Sequence, residues 1–318
     1  MTAEIAVEIR ALRDVAPDMR EFTLAPVDGT ELPPFSAGSH VVLSLPVGGR
    51  VLRNAYSLLG DPGRRDAWRI AVRRQPDSRG GSAWLHDHAR AGQRLGLTPP
   101  MNLFALVRTA RRHLLVAGGI GITPILSQVR ELARLGADFE VHYAWRSPAH
   151  AAYRDELEAL AGARVRHFDA SRGERLDFPT LLAEQPLGTH LYVCGPASMV
   201  EDALAAGAAL GWPATSLHSE RFLAPAGGQP FDVRLARSGL RLTVPAEMSL
   251  LEALERHGAA VNSLCRGGAC GQCETAVLEA DGELLHRDLY LGEAERRAGR
   301  SILPCVSRFE GRCLTLDL

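Results

Sequence analysis

Cys265-Arg-Gly-Gly-Ala-Cys270-Gly-Gln-Cys273 decides how this chain is read, and a fourth cysteine, Cys305, follows after 31 intervening residues. C-x4-C-x2-C with a distant fourth cysteine is a ligation spacing for a 2Fe–2S cluster. Four thiolates must converge on two irons, and three of them come from one loop that wraps the cluster. Gly267, Gly268 and Gly271 give that loop turns denied to residues with a side chain. They also let amide N–H groups face the sulfurs, which helps to set the potential. Zinc is the competing reading, because C-x2-C also opens zinc sites. A zinc ribbon usually brings a second close pair, whereas Cys305 stands alone with Cys313 eight residues on. The expected metal ligands are Cys265, Cys270, Cys273 and Cys305, with Cys313 a buried structural thiol.

The length of 318 residues allows two or three domains, and 46% apolar residues suffice for a core in each. A formal net charge of −1 argues against a nucleic-acid or polybasic membrane partner. No apolar run is long enough to span a bilayer. The start, Met-Thr-Ala-Glu-Ile, lacks the basic and apolar regions of a signal peptide. Six cysteines, four of them in the cluster pattern, suit a reducing cytoplasm.

The chain changes character twice. Residues 1–108 carry short alternating runs such as Ala3–Ile9, His40–Leu45 and Trp68–Arg73, parted by Pro/Gly turns, which suggests a small antiparallel β-barrel. Across 109–223, apolar strands (His113–Ala117, Phe139–Trp145, His190–Cys194) alternate with helical stretches (Pro124–Leu135, Tyr153–Leu160, Ala197–Leu210). That is βαβ logic and a parallel sheet. Residues 224–230, Ala-Pro-Ala-Gly-Gly-Gln-Pro, read as a linker. Residues 231–318 hold a strand pair, a helix over Ser249–His257 and the cysteines, giving an α+β domain. The fold class is therefore multidomain: barrel, α/β nucleotide domain and β-grasp-like cluster domain.

Two motifs of the middle region end apolar strands. His113-Leu-Leu-Val-Ala-Gly118-Gly119-Ile-Gly121-Ile-Thr123-Pro124 runs into a Gly-rich turn, with Thr123 suited to a helix N-cap and Pro124 to the first helical position. Cys194-Gly195-Pro196 ends another strand before a helix. Ligands of open α/β sheets bind beyond the carboxyl ends of strands, and a helix N-terminus favours a pyrophosphate. Plain packing is the alternative for either motif alone, and Pro124 stands where a dinucleotide fingerprint has its third glycine.

Together, GGIGITP, the C-G-P strand end and the C-terminal plant-type ferredoxin pattern resemble the phthalate dioxygenase reductase and vanillate demethylase reductase family. The resemblance runs the whole chain and implies an FMN barrel, an NADH domain and a ferredoxin domain. It implies hydride transfer from NADH to FMN, then single electrons through the cluster to a terminal oxygenase. Arg53-Asn-Ala-Tyr56-Ser57-Leu58 resembles the flavin motif, with Tyr56 and Ser57 at the isoalloxazine and Arg53 at the phosphate or ribityl. The family's arginine lies two before the tyrosine, where this chain has Asn54. Ala71-Val72-Arg73 resembles the strand lining the flavin, and Arg79-Gly80-Gly81-Ser82 the phosphate turn. Phe222, after Glu220-Arg221, resembles a residue stacked on the ring; a core aromatic is the alternative. On the coenzyme side the resemblance assigns Gly118, Gly119, Gly121, Thr123, Pro124, Cys194, Gly195 and Pro196 to the NAD site, with Cys194 near the nicotinamide and Thr123 near the flavin–nicotinamide junction. It assigns Arg146 and Ser147 to the adenosine ribose. An arginine there would suit a 2′-phosphate, while the family mostly uses NADH.

The eleven histidines form no evident metal pattern, and His86 and His88 do not share a helix face. No nucleophile or paired-carboxylate arrangement stands out, as the cofactors would carry the chemistry. A terminal oxygenase with a Rieske centre is the expected acceptor. A haem oxygenase or a separate ferredoxin is the alternative, and a non-redox zinc protein a distant one. Arg266, beside the first cysteine, is expected to rim the acceptor contact and steer docking, with a solvated loop charge as the alternative.

Overall fold

The computed structural model describes residues 4–76, 80–222 and 227–318. The chain divides into two compact units, one ending at Arg221 and one beginning at Phe222.

Alternating residues of the first unit build β1 (Ile5–Ala16), β2 (Met19–Pro26), β3 (Ser39–Val47), β4 (Arg50–Leu59), β5 (Trp68–Arg73), β6 (Arg94–Leu97) and β7 (Met101–Asn102). They pair antiparallel in the order β4-β5-β2-β1-β6-β3-β7, and a β3–β4 pairing closes the ring. Closure pairs both sides of the longer strands, so their amides stay satisfied. Val7, Ile9, Phe22, Val41, Leu43 and Trp68 fill the inside. The short helix α1 (Gly81–Asp87) packs against β3, β4 and β5.

The same unit continues into β8 (Arg112–Gly118), α2 (Ile122–Leu135), β9 (Phe139–Trp145), α3 (Arg154–Ala161), β10 (Val165–Asp169), α4 (Phe178–Ala183), β11 (Thr189–Cys194), α5 (Ala197–Ala209) and β12 (Leu217–Glu220). The strands are parallel in the order β10-β9-β8-β11-β12. Residues 113–118 of β8 are all buried, as a strand covered on both faces must be. The order reverses between β8 and β11, which opens a crevice beyond their carboxyl ends. Barrel and sheet share one core, in which Met19, Leu59 and Ala71 pack with Leu115, Ile125 and Tyr143. Arg69 of β5 adds a polar tie, reaching Glu21 of β2 at 2.6 Å and Glu156 of α3 at 2.9 Å.

One expectation is corrected here. Thr123 is not the N-cap of its helix. Gly119–Gly121 wind as a 3₁₀ turn, α2 starts at Ile122 after Gly121, and the Thr123 hydroxyl donates back to the Ile120 carbonyl at 3.0 Å. The glycines let the chain coil one turn early. Pro124 still sits in the first turn, where its missing N–H costs nothing.

The second unit holds β13 (Phe231–Leu235), β14 (Arg241–Val244), α6 (Leu250–Arg256), β15 (Thr275–Ala280), β16 (Glu283–Leu285), α7 (Glu293–Ala298), β17 (Ser301–Ile302), β18 (Arg308–Glu310) and β19 (Cys313–Leu316). Its sheet order is β14-β13-β19-β15-β17, with β19 parallel to β13 and the other pairs antiparallel. Ser249 and Glu252 form a capping box that starts α6. Val233, Val244, Leu254, Ile302, Phe309 and Leu314 make a separate core. Arg308 is 1% exposed and donates to the carbonyls of Met248, Gln229 and Pro245. Part of the expected linker, residues 224–226, lies outside the described residues. Among the described residues no helix is long and apolar enough to cross a membrane.

Candidate functional site

Two centres emerge, one in each unit. In the first, the strand ends of the parallel sheet meet the outer face of the barrel. Cys194 pairs in register with Ala117 on one side and Glu220 on the other. The Ser57 hydroxyl of β4 donates to the Glu220 carboxylate at 3.2 Å. Burial pushes the Glu220 carboxyl up to about 7, against the pull of the Ser57 hydrogen bond. Burial, helped by Glu220, also raises the Cys194 thiol well above its usual range, so it stays protonated.

The two glycine turns touch each other. A Cβ on Gly121 would lie 2.1 Å from the Cys194 carbonyl oxygen, and one on Gly195 would lie 3.1 Å from the Gly118 nitrogen. One on Gly118 would strike the Pro196 ring at 2.6 Å. These three glycines therefore serve close packing of the strand ends. Gly119 differs: its φ is +53° and its Cβ would face open space, so it supplies the turn and leaves the crevice clear. Thr123 and Pro124 are buried behind it. Arg146 and Ser147 leave the end of β9, where Ser147 Oγ lies 2.8 Å from His150 Nδ1.

On the barrel, strand alternation separates the residues of the flavin motif. Asn54 and Tyr56 share a face, with Asn54 Nδ2 3.4 Å from the Tyr56 hydroxyl. Arg53 points the other way, its Nε 3.8 Å from Glu4 Oε1. Asn54 also lies against Gly81, where a Cβ would fall 2.2 Å from its Nδ2. Gly80 caps α1 at φ +103°, and Ser82 Oγ accepts from the Gln75 amide at 3.2 Å. Arg79 lies outside the described residues. Ala71 and Val72 are buried, with the Val72 carbonyl 2.9 Å from His86 Nε2, and Arg73 Nε lies 3.7 Å from Asp18. Phe222 opens the second unit and is 48% exposed, so it is no core aromatic.

Sequence reading passed over His40. It pairs directly opposite Ser57, is 5% exposed, and both ring nitrogens lack a partner. Burial lowers its pKa to about 4, so the ring is neutral. An orphaned buried imidazole beside Ser57 fits a flavin whose polar edge completes its contacts. Only the β3–β4 register brings His40 to Ser57; its local sequence carries no such signal.

In the second unit the cysteines meet as two thiol pairs, Cys265 with Cys270 and Cys273 with Cys305. A pair for each iron is what a 2Fe–2S rhomb requires. Cys270, and then the amides of Gly267, Ala269 and Cys270, hold the Cys265 thiol down to about 5. Cys305 lowers Cys273 likewise. Cys265, Cys273 and Cys305 are buried and Cys270 is partly exposed. Gly268 and Gly271 take φ of +73° and +72°. Asp288, which is 3% exposed, braces the loop's neighbour by accepting from the Tyr290 and Leu291 amides and the Ser307 hydroxyl.

Two expectations fail in this unit. Cys313 is exposed at the start of β19 rather than buried. Arg266 is not an open docking charge. Its side chain is 10% exposed, paired with Glu255 of α6 and bonded to Ser263 Oγ at 3.2 Å. Its φ of +52° turns it inward toward that pair.

The comparisons with known proteins agree with this geometry. Residues 96–217 match the family described as dimethylamine monooxygenase subunit DmmA-like, N-terminal domain, and residues 233–310 match the 2Fe-2S iron-sulfur cluster binding domain. The chain is 50% identical over 318 residues to the heme-dependent oxidative N-demethylase beta subunit of Ectopseudomonas mendocina, covering all of both chains. It is 44% identical to the carnitine monooxygenase reductase subunit of Escherichia coli K12, over 98% of each. The solved phthalate dioxygenase reductase superposes with a TM-score of 0.88 at 34% identity, over 99% of this chain and 98% of that one. The chain belongs to the phthalate dioxygenase reductase and vanillate O-demethylase oxidoreductase family and is a flavin and 2Fe–2S reductase subunit that serves an oxygenase or demethylase component.

Proposed function

We propose that the chain takes a hydride from a reduced nicotinamide dinucleotide on FMN and passes single electrons through its 2Fe–2S cluster to a terminal oxygenase component. Bound FMN supplies the conversion from two-electron to one-electron transfer, and the cluster relays single electrons. The observation that carries this reading is the Ser57–Glu220–Cys194 junction. It joins the expected flavin strand to the expected nicotinamide strand end in one crevice. Tyr56, Ser57 and His40 would hold the ring, and Asn54, Gly80, Gly81 and Ser82 the phosphate side. Ala71, Val72 and Arg73 would line it, while Arg53 lies on the face of β4 away from Tyr56, beside Glu4. Gly119 leaves room for the nicotinamide half, and the closely packed Gly118, Gly121 and Gly195 fix the floor beneath it. Glu220 can keep a proton on its carboxylate near neutral pH, beside the Ser57 hydroxyl.

The acceptor reading also shifts. Identity of 50% along the whole chain to a haem-dependent N-demethylase subunit favours a haem component that demethylates amines over the Rieske centre first expected. The match to a dimethylamine monooxygenase subunit likewise favours a component that acts on amines.

Purified protein is expected to contain iron and acid-labile sulfide in the 2Fe–2S ratio, with FMN equimolar to the chain. Reduced dinucleotide added without oxygen should bleach the flavin band and then the cluster band. Stoichiometric zinc without labile sulfide would sink the reading. Turnover restored by a haem N-demethylase component supports the haem acceptor; turnover restored only by a Rieske oxygenase reverses that choice.

A further inference from the structure

The crevice leaves one question about its donor, the group on the adenosine ribose. Parallel-sheet dinucleotide sites that read an unmodified ribose place a free Asp or Glu at the 2′-hydroxyl, whereas an arginine accommodates a 2′-phosphate. At the end of β9 this chain presents Arg146 and Ser147, with Arg146 exposed. The neighbouring strand β10 ends in register, Asp169 opposite Trp145, so Arg146 and Ala170 leave the sheet side by side. Ala170-Ser171-Arg172 then coil as a 3₁₀ turn, closed by Gly173 at φ +78°.

The acids of this corner are occupied. Asp169 is 5% exposed, and its Oδ1 accepts from the Ser171 amide at 3.0 Å and the Ser171 hydroxyl at 2.6 Å. Glu174 accepts from the Asp169 amide at 2.8 Å. The buried Asp169 is tied to its own loop and is not offered to a ribose hydroxyl, and Glu174 gives one oxygen to the same loop. Arg172 remains outside, its side chain 73% exposed, with Asp169 Oδ2 at 3.6 Å as a loose partner. Among the described residues Arg146 pairs with no acid. Two arginines thus stand just beyond adjacent strand ends, Arg146 directly after β9 and Arg172 in the turn that follows β10. Arginine's planar fork matches phosphate oxygens.

The geometry points to a 2′-phosphate pocket formed by Arg146 and Arg172, so that the donor taken in preference is NADPH rather than NADH. The assignment rests on the dinucleotide reading of the crevice and goes beyond it by fixing the donor.

The test uses the full-length holoprotein. Flavin reduction by NADPH and by NADH is timed by stopped flow, and binding of adenosine 2′,5′-bisphosphate and of 5′-AMP is measured by calorimetry. The wild type should favour NADPH and bind the bisphosphate more tightly. Arg146→Ala and Arg172→Ala should each cut the NADPH-to-NADH efficiency ratio about tenfold or more, the scale of one charge-assisted hydrogen bond. Arg→Lys at either position should restore part of the ratio. A wild type that favours NADH, equal binding of the two nucleotides, or variants that slow both donors alike would overturn the pocket. If neither donor reduces the flavin, the electron-transfer reading fails instead, and calorimetry still decides the pocket.

Discussion

Glu220 concentrates the electrostatics of the crevice in one residue. Its carboxyl is raised from 4.5 to about 7, chiefly by burial. A carboxyl raised in the folded state binds its proton more tightly there than in the unfolded chain. Its contribution to stability is therefore complete below pH 4.5 and is lost as pH climbs through 7. Above that window the buried charge costs roughly 3 kcal/mol, at 1.36 kcal/mol for each tenfold change in proton affinity. Glu220→Gln removes the titration while keeping the shape. The difference in unfolding free energy between variant and wild type should climb in the variant's favour from pH 4.5 to 8, then level. Urea titrations across that range give the curve, and a flat difference would contradict the burial of this carboxyl. Hydride transfer in the variant should lose its pH dependence near 7.

At the scale of elements, the cluster loop works because particular backbone turns meet particular neighbours. A Cβ on Gly271 would strike the Tyr290 ring at 2.3 Å, at a φ of +72°. A Cβ on Gly267 would meet nothing nearer than the Cys265 carbonyl at 3.7 Å, and its φ is not positive. The glycines of the motif are thus unequal. Gly271→Ala carries the left-handed penalty of about 1–2 kcal/mol in addition to the clash. It should lose most of its iron and its visible cluster absorbance. Gly267→Ala should keep both, because its amide still reaches Cys265 Sγ, at 3.4 Å in the parent. Iron assay and circular dichroism in the visible distinguish the two, and equal iron in both variants would contradict this contrast. The Arg266–Glu255 pair acts on the same loop, tying it to α6.

For the whole molecule, the separate cores of the two units imply separable functions. The barrel and parallel sheet share a core and the Glu21–Arg69–Glu156 tie, so they should not come apart without unfolding. A chain ending at Arg221 should fold, keep its flavin and reduce ferricyanide with the reduced dinucleotide. It should lose cytochrome c reduction, which draws single electrons from the cluster. Loss of flavin from this shortened chain would show that the second unit is needed to complete the site.

Several parts of this protein were written in the sequence itself. The 2Fe–2S domain is legible from the cysteine spacing along one short stretch, and glycines beside those cysteines announce the turn. The barrel and the parallel sheet follow from hydrophobic period, two in the first region and alternating strand and helix in the second. These are local properties, set by neighbours a few residues apart. Side-chain partners were not local. Glu220 meets Ser57 across 163 positions, and His40 reaches Ser57 only through strand pairing. Asn54 rather than Arg53 stands with Tyr56, because alternation on β4 sends the arginine to the other face. Arg266 looks like a surface charge until α6 brings Glu255 against it, and Cys313 looks like a core thiol until β19 turns it to solvent. Which polar group finds which partner depends on ring closure, register and packing of elements distant in the chain, so tertiary structure alone decided it.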